Sequence, residues 1–143
     1  MGVAAVGVCV LTWFAGLSWF DIRERRLPNW LTVPGALAIL MCAAATGRGA
    51  PALAGAVSLF AIYLAMHLIA PAAMGAGDVK LAIGIGGLTG ALGVDVWSLA
   101  AVAAPLLTAG MAVIVRIVSA ERAVPHGPSM CVAAAAAAAL VLL

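Results

Sequence analysis

The strongest constraint on this chain is the spacing of its few charges. Seven Lys or Arg and five Asp or Glu leave charge-free runs over 1–20, 27–47, 49–77, 81–94, 96–115 and 123–143. A hydrocarbon core about 30 Å thick takes about 20 helical residues per crossing, and most of these runs reach or approach that length. Charged residues make up 8% of the chain and hydrophobic ones 66%, against roughly 25% and about 45–50% in a soluble domain. So few charges cannot give a globule a polar shell, so a water-soluble fold is excluded. Disorder is excluded too, because it needs low hydrophobicity and high charge. The net charge is +2 with no dense Lys/Arg tract, so no nucleic-acid partner is expected. The expectation is an all-α, polytopic membrane helical bundle whose surroundings are the lipid bilayer.

Six crossings would use about 120 residues, which predicts six transmembrane helices, short loops and a single domain over 1–143. The 49–77 run is too long for one crossing, and Pro71, Gly75 and Gly77 predict that its helix stops near Ala70. Spans are therefore expected at 2–20, 30–46, 52–70, 78–96, 98–118 and 130–143. The last contains the alanine run Ala133 to Ala139; it reads either as a short helix packed on its neighbours or as a crossing that thins the bilayer locally, and the span is the favoured reading. Alternate loops divide the cations unevenly. Arg23, Arg25, Arg26, Lys80, Arg116 and Arg122 fall on one side and Arg48 on the other. The positive-inside rule then predicts an N-terminus outside the cell membrane, with segments 21–29, 71–80 and 116–129 at its cytoplasmic face. No cation precedes the first apolar stretch, so it reads as an uncleaved span. Cys9, Cys42 and Cys131 all fall in spans without a C-x-x-C pair; they are expected to be buried small residues, with no zinc site and no disulfide framework. No repeat of 20–50 residues runs along the chain, which gives no support to an inverted-repeat transporter.

Two polar islands interrupt this apolar background. One runs from Ser18 to Asn29 and the other is Met74-Gly-Ala-Gly-Asp78-Val-Lys80. An ionisable residue at a span is costly, and is by default a candidate for function. Asp21 closes the first predicted span and Asp78 opens the fourth. Two crossings lie between them, and an even number returns the chain to the side it left. Both carboxylates are thus expected at one membrane face. Two close carboxylates do not both ionise cheaply, so one keeps its proton while the other acts as a base. Such a pair can draw a proton from water for attack on a peptide carbonyl, while the protonated member donates to the carbonyl oxygen. Taken alone, Asp21 also fits a structural role, paired with Arg25 at i, i+4.

The string Asp21-Ile-Arg-Glu-Arg-Arg-Leu-Pro-Asn29, followed by Gly75-Ala-Gly-Asp78-Val-Lys80, resembles the two signatures of the type IV prepilin peptidases, intramembrane aspartyl proteases of the G-x-G-D class. The resemblance spans essentially the whole chain but only the peptidase core. It implies that Asp21 and Asp78 are the catalytic pair. It also implies prepilin or pseudopilin substrates, cut after a short basic leader at the cytoplasmic side of their hydrophobic segment. Long members carry a cysteine-paired N-terminal region and methylate the new terminus; nothing here matches that region, so cleavage without methylation is expected. The segment Pro125-His-Gly-Pro128 resembles the family's last cytoplasmic turn, with His126 where an aromatic is usual.

Several neighbours are expected to shape the site. Gly75 and Gly77 would permit positive φ and close approach of a substrate strand. Pro28 suits the first turn of the second span, and with Asn29 would set the turn that points Asp21 inward. Lys80 and Arg25 are expected to point away from the pair. Arg23, Arg25 and Arg26 serve topology first. His126 reads as a solvated loop histidine and His67 as an interfacial or hydrogen-bonded one. Gly86 and Gly90 are spaced for close helix packing. Trp13, Trp19, Trp30 and Trp97 read as interfacial anchors. No metal or organic cofactor is expected, and the sequence carries no signal of oligomeric state. The competing readings are a small ion or proton conduit and a non-catalytic pilus-assembly subunit. A proton path favours polar residues in mid-bilayer, and the fourth and fifth spans hold almost none. Topology is directly testable in a background without the three native cysteines. Arg48→Cys is expected to react with an impermeant maleimide from outside, and Arg26→Cys only after the membrane is opened.

Overall fold

The computed structural model describes residues 2–120 and 123–143; Arg122, counted above with the cytoplasmic cations, lies outside them. The described residues form six helices: α1 (Val3–Glu24), α2 (Asn29–Ala45), α3 (Gly49–Ile69), α4 (Ala76–Leu92), α5 (Val94–Val118) and α6 (Gly127–Leu142). No strand occurs among them. In hydrocarbon each backbone N–H and C=O must find a partner within the protein, and a helix satisfies them inside one segment. Helices α1, α3 and α5, of 22, 21 and 25 residues, are long and apolar enough to cross a membrane. The apolar helices α2 and α6, of 17 and 16 residues, are shorter. Large apolar side chains also cover the outside, among them Leu68, Ile69, Ile117 and Val118. Water would penalise such a surface and lipid does not. The protein is a helical membrane bundle.

The helices start and stop close to the expected positions, with one correction. The fourth span was expected to run over 78–96, but α4 ends at Leu92. Gly93 adopts φ +136° and ψ 161°, a conformation available essentially to glycine alone. The chain therefore breaks there, and Asp95 and Trp97 belong to the start of α5 rather than to a turn. One residue, Gly93, thus separates α4 from α5.

Helix α4 is the axis of the bundle, packed on by α2, α3, α5 and α6. Its Leu81, Ala82 and Ile85 are almost wholly buried. The closest pairing is with α3, and glycine makes it possible. A Cβ on Gly86 would strike the Gly55 carbonyl oxygen, and one on Gly90 would lie 2.6 Å from the Pro51 carbonyl oxygen and 2.9 Å from Gly55 Cα. The two backbones touch directly, as the Gly86/Gly90 spacing suggested. Trp97 closes this seam, its indole N–H donating to the Gly55 carbonyl at 3.0 Å.

Two further expectations need correction. Trp13 is not an interfacial anchor: its ring fills a notch left by Gly35 and Gly84, and its N–H donates to the Leu31 carbonyl at 2.9 Å. Trp13 and Trp97 are thus packing elements, whereas Trp19 and Trp30 remain exposed. Of the cysteines, Cys131 alone is buried, while Cys9 and Cys42 lie on the outer surface of the bundle. Free thiols are apolar enough for either position.

If the α3–α4 contact holds the bundle together, crowding it must cost stability. Gly90→Ala is expected to lose about 1–3 kcal/mol through overpacking in a detergent unfolding titration. Gly110→Ala, where an added Cβ meets nothing within 4 Å, is expected to be neutral or slightly stabilising.

Candidate active site

The first polar island forms the end of α1 and the turn into α2. Asp21 lies in the last turn of α1 and is buried. Arg25 then takes the left-handed conformation, φ 50° and ψ 32°, while its N–H donates to the Asp21 carbonyl. It is the one described non-glycine residue with positive φ, and it stops α1 as an αL cap. The reversal turns Leu27 inward, where it is buried. Pro28 follows as the N-cap of α2 in extended conformation. It sits one position before the first turn it was expected to occupy, where its missing N–H is equally harmless.

The second island forms the turn from α3 into α4. The His67 Nδ1–H donates to the Met74 carbonyl at 2.6 Å, and Met74 is buried. This ties the end of α3 to the segment that carries Gly75. Gly75 is the extended N-cap of α4, at φ −71°, and Asp78 lies in the first turn. The Gly75 backbone lies near the Asp78 carboxylate and favours its charged form. The expectation that Gly75 and Gly77 adopt positive φ is overturned, since among described residues only Gly47, Gly93 and Arg25 do so. The requirement at Gly77 is steric. An added Cβ there would lie 3.1 Å from Leu27 Cβ, so glycine lets the two islands close on each other.

Asn29 and Lys80 fasten the same junction from outside, with Lys80 Nζ donating to Asn29 Oδ1 at 2.8 Å. Lys80 is thereby directed to the start of α2. The two islands enclose a cleft of about 460 Å³. Asp21, Asp78, Gly75, Gly77, Lys80, Pro28 and Asn29 all line it, together with Leu27 and the rim residues Glu24, Arg25 and Arg26. Asp21 and Asp78 approach closely enough for the charge of one to act on the other. Their helices do not touch backbone to backbone, since no Cα of α1 lies within 8 Å of α4. Both carboxylates line the same cleft. Arg25, at the rim, also acts electrostatically on Asp21.

A third element completes the surroundings of Asp21. At the start of α6 the Gly127 N–H donates to Asp21 Oδ2 at 2.8 Å. A Cβ at Gly127 would lie 2.5 Å from that oxygen, so only glycine allows the approach. The first turn of a helix offers unpaired N–H groups and the positive end of its dipole, both favourable to a carboxylate. His126, expected to be solvated, is instead partly buried and hydrogen-bonded to Tyr63 and Thr108. Burial holds its imidazole below the ordinary histidine range. Sequence reasoning also missed Leu27 and Gly127. The signal for Gly127 was present in the glycine of Pro125-His-Gly-Pro128, next to a proline suited to a helix start.

An apolar bundle whose one polar cleft among the described pockets gathers two carboxylates at the helix ends defines a membrane protein with a water-accessible site at its edge. The family model of the type IV leader peptidase family matches residues 8–142. The chain belongs to that family and is a peptidase of the leader-peptidase type. No curated protein and no solved structure matched it.

The meeting of the two islands can be tested without any activity. In a background free of native cysteines, Leu27→Cys with Gly77→Cys is expected to form a disulfide under mild oxidation. The 3.1 Å between the relevant Cβ positions needs only a small relaxation to the usual ~3.5–4.5 Å. Failure to cross-link would separate the islands.

Proposed function

We propose that this peptidase is of the aspartic type and that Asp21 and Asp78 are its catalytic pair. The observation that carries this reading is their placement in one polar cleft at the end of an otherwise apolar bundle. Buried or half-buried acids facing each other are arranged for proton transfer, and a structural ion pair requires no second acid. In the reaction the ionised carboxylate takes a proton from a water lying between the two. The water oxygen bonds to the scissile carbonyl carbon while the protonated carboxyl donates to the carbonyl oxygen. Collapse of the tetrahedral species breaks the C–N bond and the departing amine takes up a proton. Neither step requires more than the two acids and water. The Gly127 N–H holds Asp21 in the orientation this exchange needs.

The substrates are prepilin or pseudopilin proteins, whose basic leader stays in water while the following hydrophobic segment enters the bilayer. The proposed arrangement is six crossings in the cytoplasmic membrane with the N-terminus outside. It is supported by the lone Arg48 at the α2–α3 end, opposite the cluster Arg23, Arg25, Arg26 and Lys80. That arrangement puts the cleft at the cytoplasmic face, where such a leader lies.

Co-expression with a prepilin and a gel-shift assay for the leader tests this reading. Asp21→Asn and Asp78→Asn are each expected to abolish processing, a loss of at least about 10³-fold by analogy with other essential catalytic groups, while the protein still accumulates in the membrane. Gly127→Ala is expected to lose most activity by displacing the Asp21 carboxylate. Wild-type cleavage by either Asn variant would end the aspartic assignment.

A further inference from the structure

The Pro125-His-Gly-Pro128 turn holds a hydrogen-bond relay that the reaction above does not use. Thr108 Oγ1 donates to the Ala104 carbonyl at 3.1 Å within α5. A hydroxyl has one proton to give, so at His126 Nδ1, 2.5 Å away, Thr108 Oγ1 accepts. On that basis the imidazole proton is assigned to Nδ1. Nε2 is then a lone-pair acceptor, and the Tyr63 O–H donates to it at 2.8 Å. Every donor in the relay has an acceptor, and the direction runs Tyr63, His126, Thr108, Ala104. The two rings also lie against each other with centroids 5.6 Å apart. Tyr63 is 5% exposed, on α3, and Thr108 is on α5. His126 is the N-cap of α6. One imidazole thus fastens three helices at a single point.

That point adjoins the site. The residue after His126 is Gly127, whose N–H reaches Asp21 Oδ2. A hydrogen bond weakens steeply with distance and angle, so a shift at the N-cap of α6 alters the donor that orients Asp21. Burial disfavours the protonated imidazole, which favours Nε2 remaining an acceptor for the Tyr63 O–H. We propose that His126 is a positioning residue for Asp21, its imidazole clamped between Tyr63 and Thr108 so that the Gly127 N–H meets the carboxylate. The proposal rests on the catalytic reading of Asp21.

The test is steady-state cleavage of a purified prepilin by the full chain in detergent, with Asp21→Asn run in parallel. His126→Leu removes both ring bonds and is expected to lower kcat about tenfold or more, as small displacements of catalytic groups do, with KM within about twofold. His126→Asn offers an amide N–H near the place of Nδ1–H and is expected to recover most of that loss. In a Thr108→Val background, which removes the acceptor, it is expected to recover none. Should His126→Leu fail to accumulate, Thr108→Val and Tyr63→Phe each delete one bond around an intact ring and must lower kcat by themselves. Wild-type kcat in His126→Leu or in Thr108→Val, or a loss carried by KM alone, would overturn the proposal. If those variants cleave normally while Asp21→Asn is inactive, only the positioning role falls. If Asp21→Asn itself cleaves, the catalytic reading falls and this one with it.

Discussion

The rest of the bundle depends on a contact between two backbones. Where α3 meets α4, Gly55 faces Gly86 and Gly90 without an intervening side chain. Lipid tails are as apolar as leucine, so burying apolar surface does little to join helices within a bilayer; close van der Waals approach and hydrogen bonds must do it instead. The glycine seam supplies the first and the Trp97 indole N–H the second. With α3 seated, α4 becomes the central helix and its first turn emerges at one end of the bundle. Asp78 sits in that turn, so the seam governs where one of the two acids can be.

The second acid is placed by different means. Its helix, α1, has an outer surface facing lipid along most of its length, and only Phe14, Leu17 and Asp21 are buried. Three small devices bring its end to α4: the left-handed Arg25, the Leu27 side chain resting on Gly77, and the Asn29–Lys80 hydrogen bond. All lie at the polar edge, where water offsets the cost of exposing charged and polar groups. The cleft is therefore built from turns, and the apolar bundle beneath serves as its foundation.

Much of this was legible in the sequence because hydrocarbon leaves few options. Gaps between charges located the helices, parity put Asp21 and Asp78 at the same end, and the Gly86/Gly90 spacing marked a packing face. The misreadings share a physical origin. Whether Gly93 ends a helix or sits inside one depends on its φ, which the apolar pattern around it does not reveal. Trp13 looked like an anchor because its notch comes from Gly35 and Gly84, on two other helices. His126 looked solvated because its partners, Tyr63 and Thr108, are far away in the chain and neither is charged. Local pattern identifies elements; it does not identify which side chains meet when three helices converge.

The independent mounting of α1 has a mechanical corollary. Its backbone stays clear of α4 and is braced mainly by α6, more lightly by α2, with the Trp13 ring as a spacer reaching Gly84. The separation of the two carboxyl groups is therefore set by side-chain and turn contacts at the polar edge, not by backbone packing of α1 on α4.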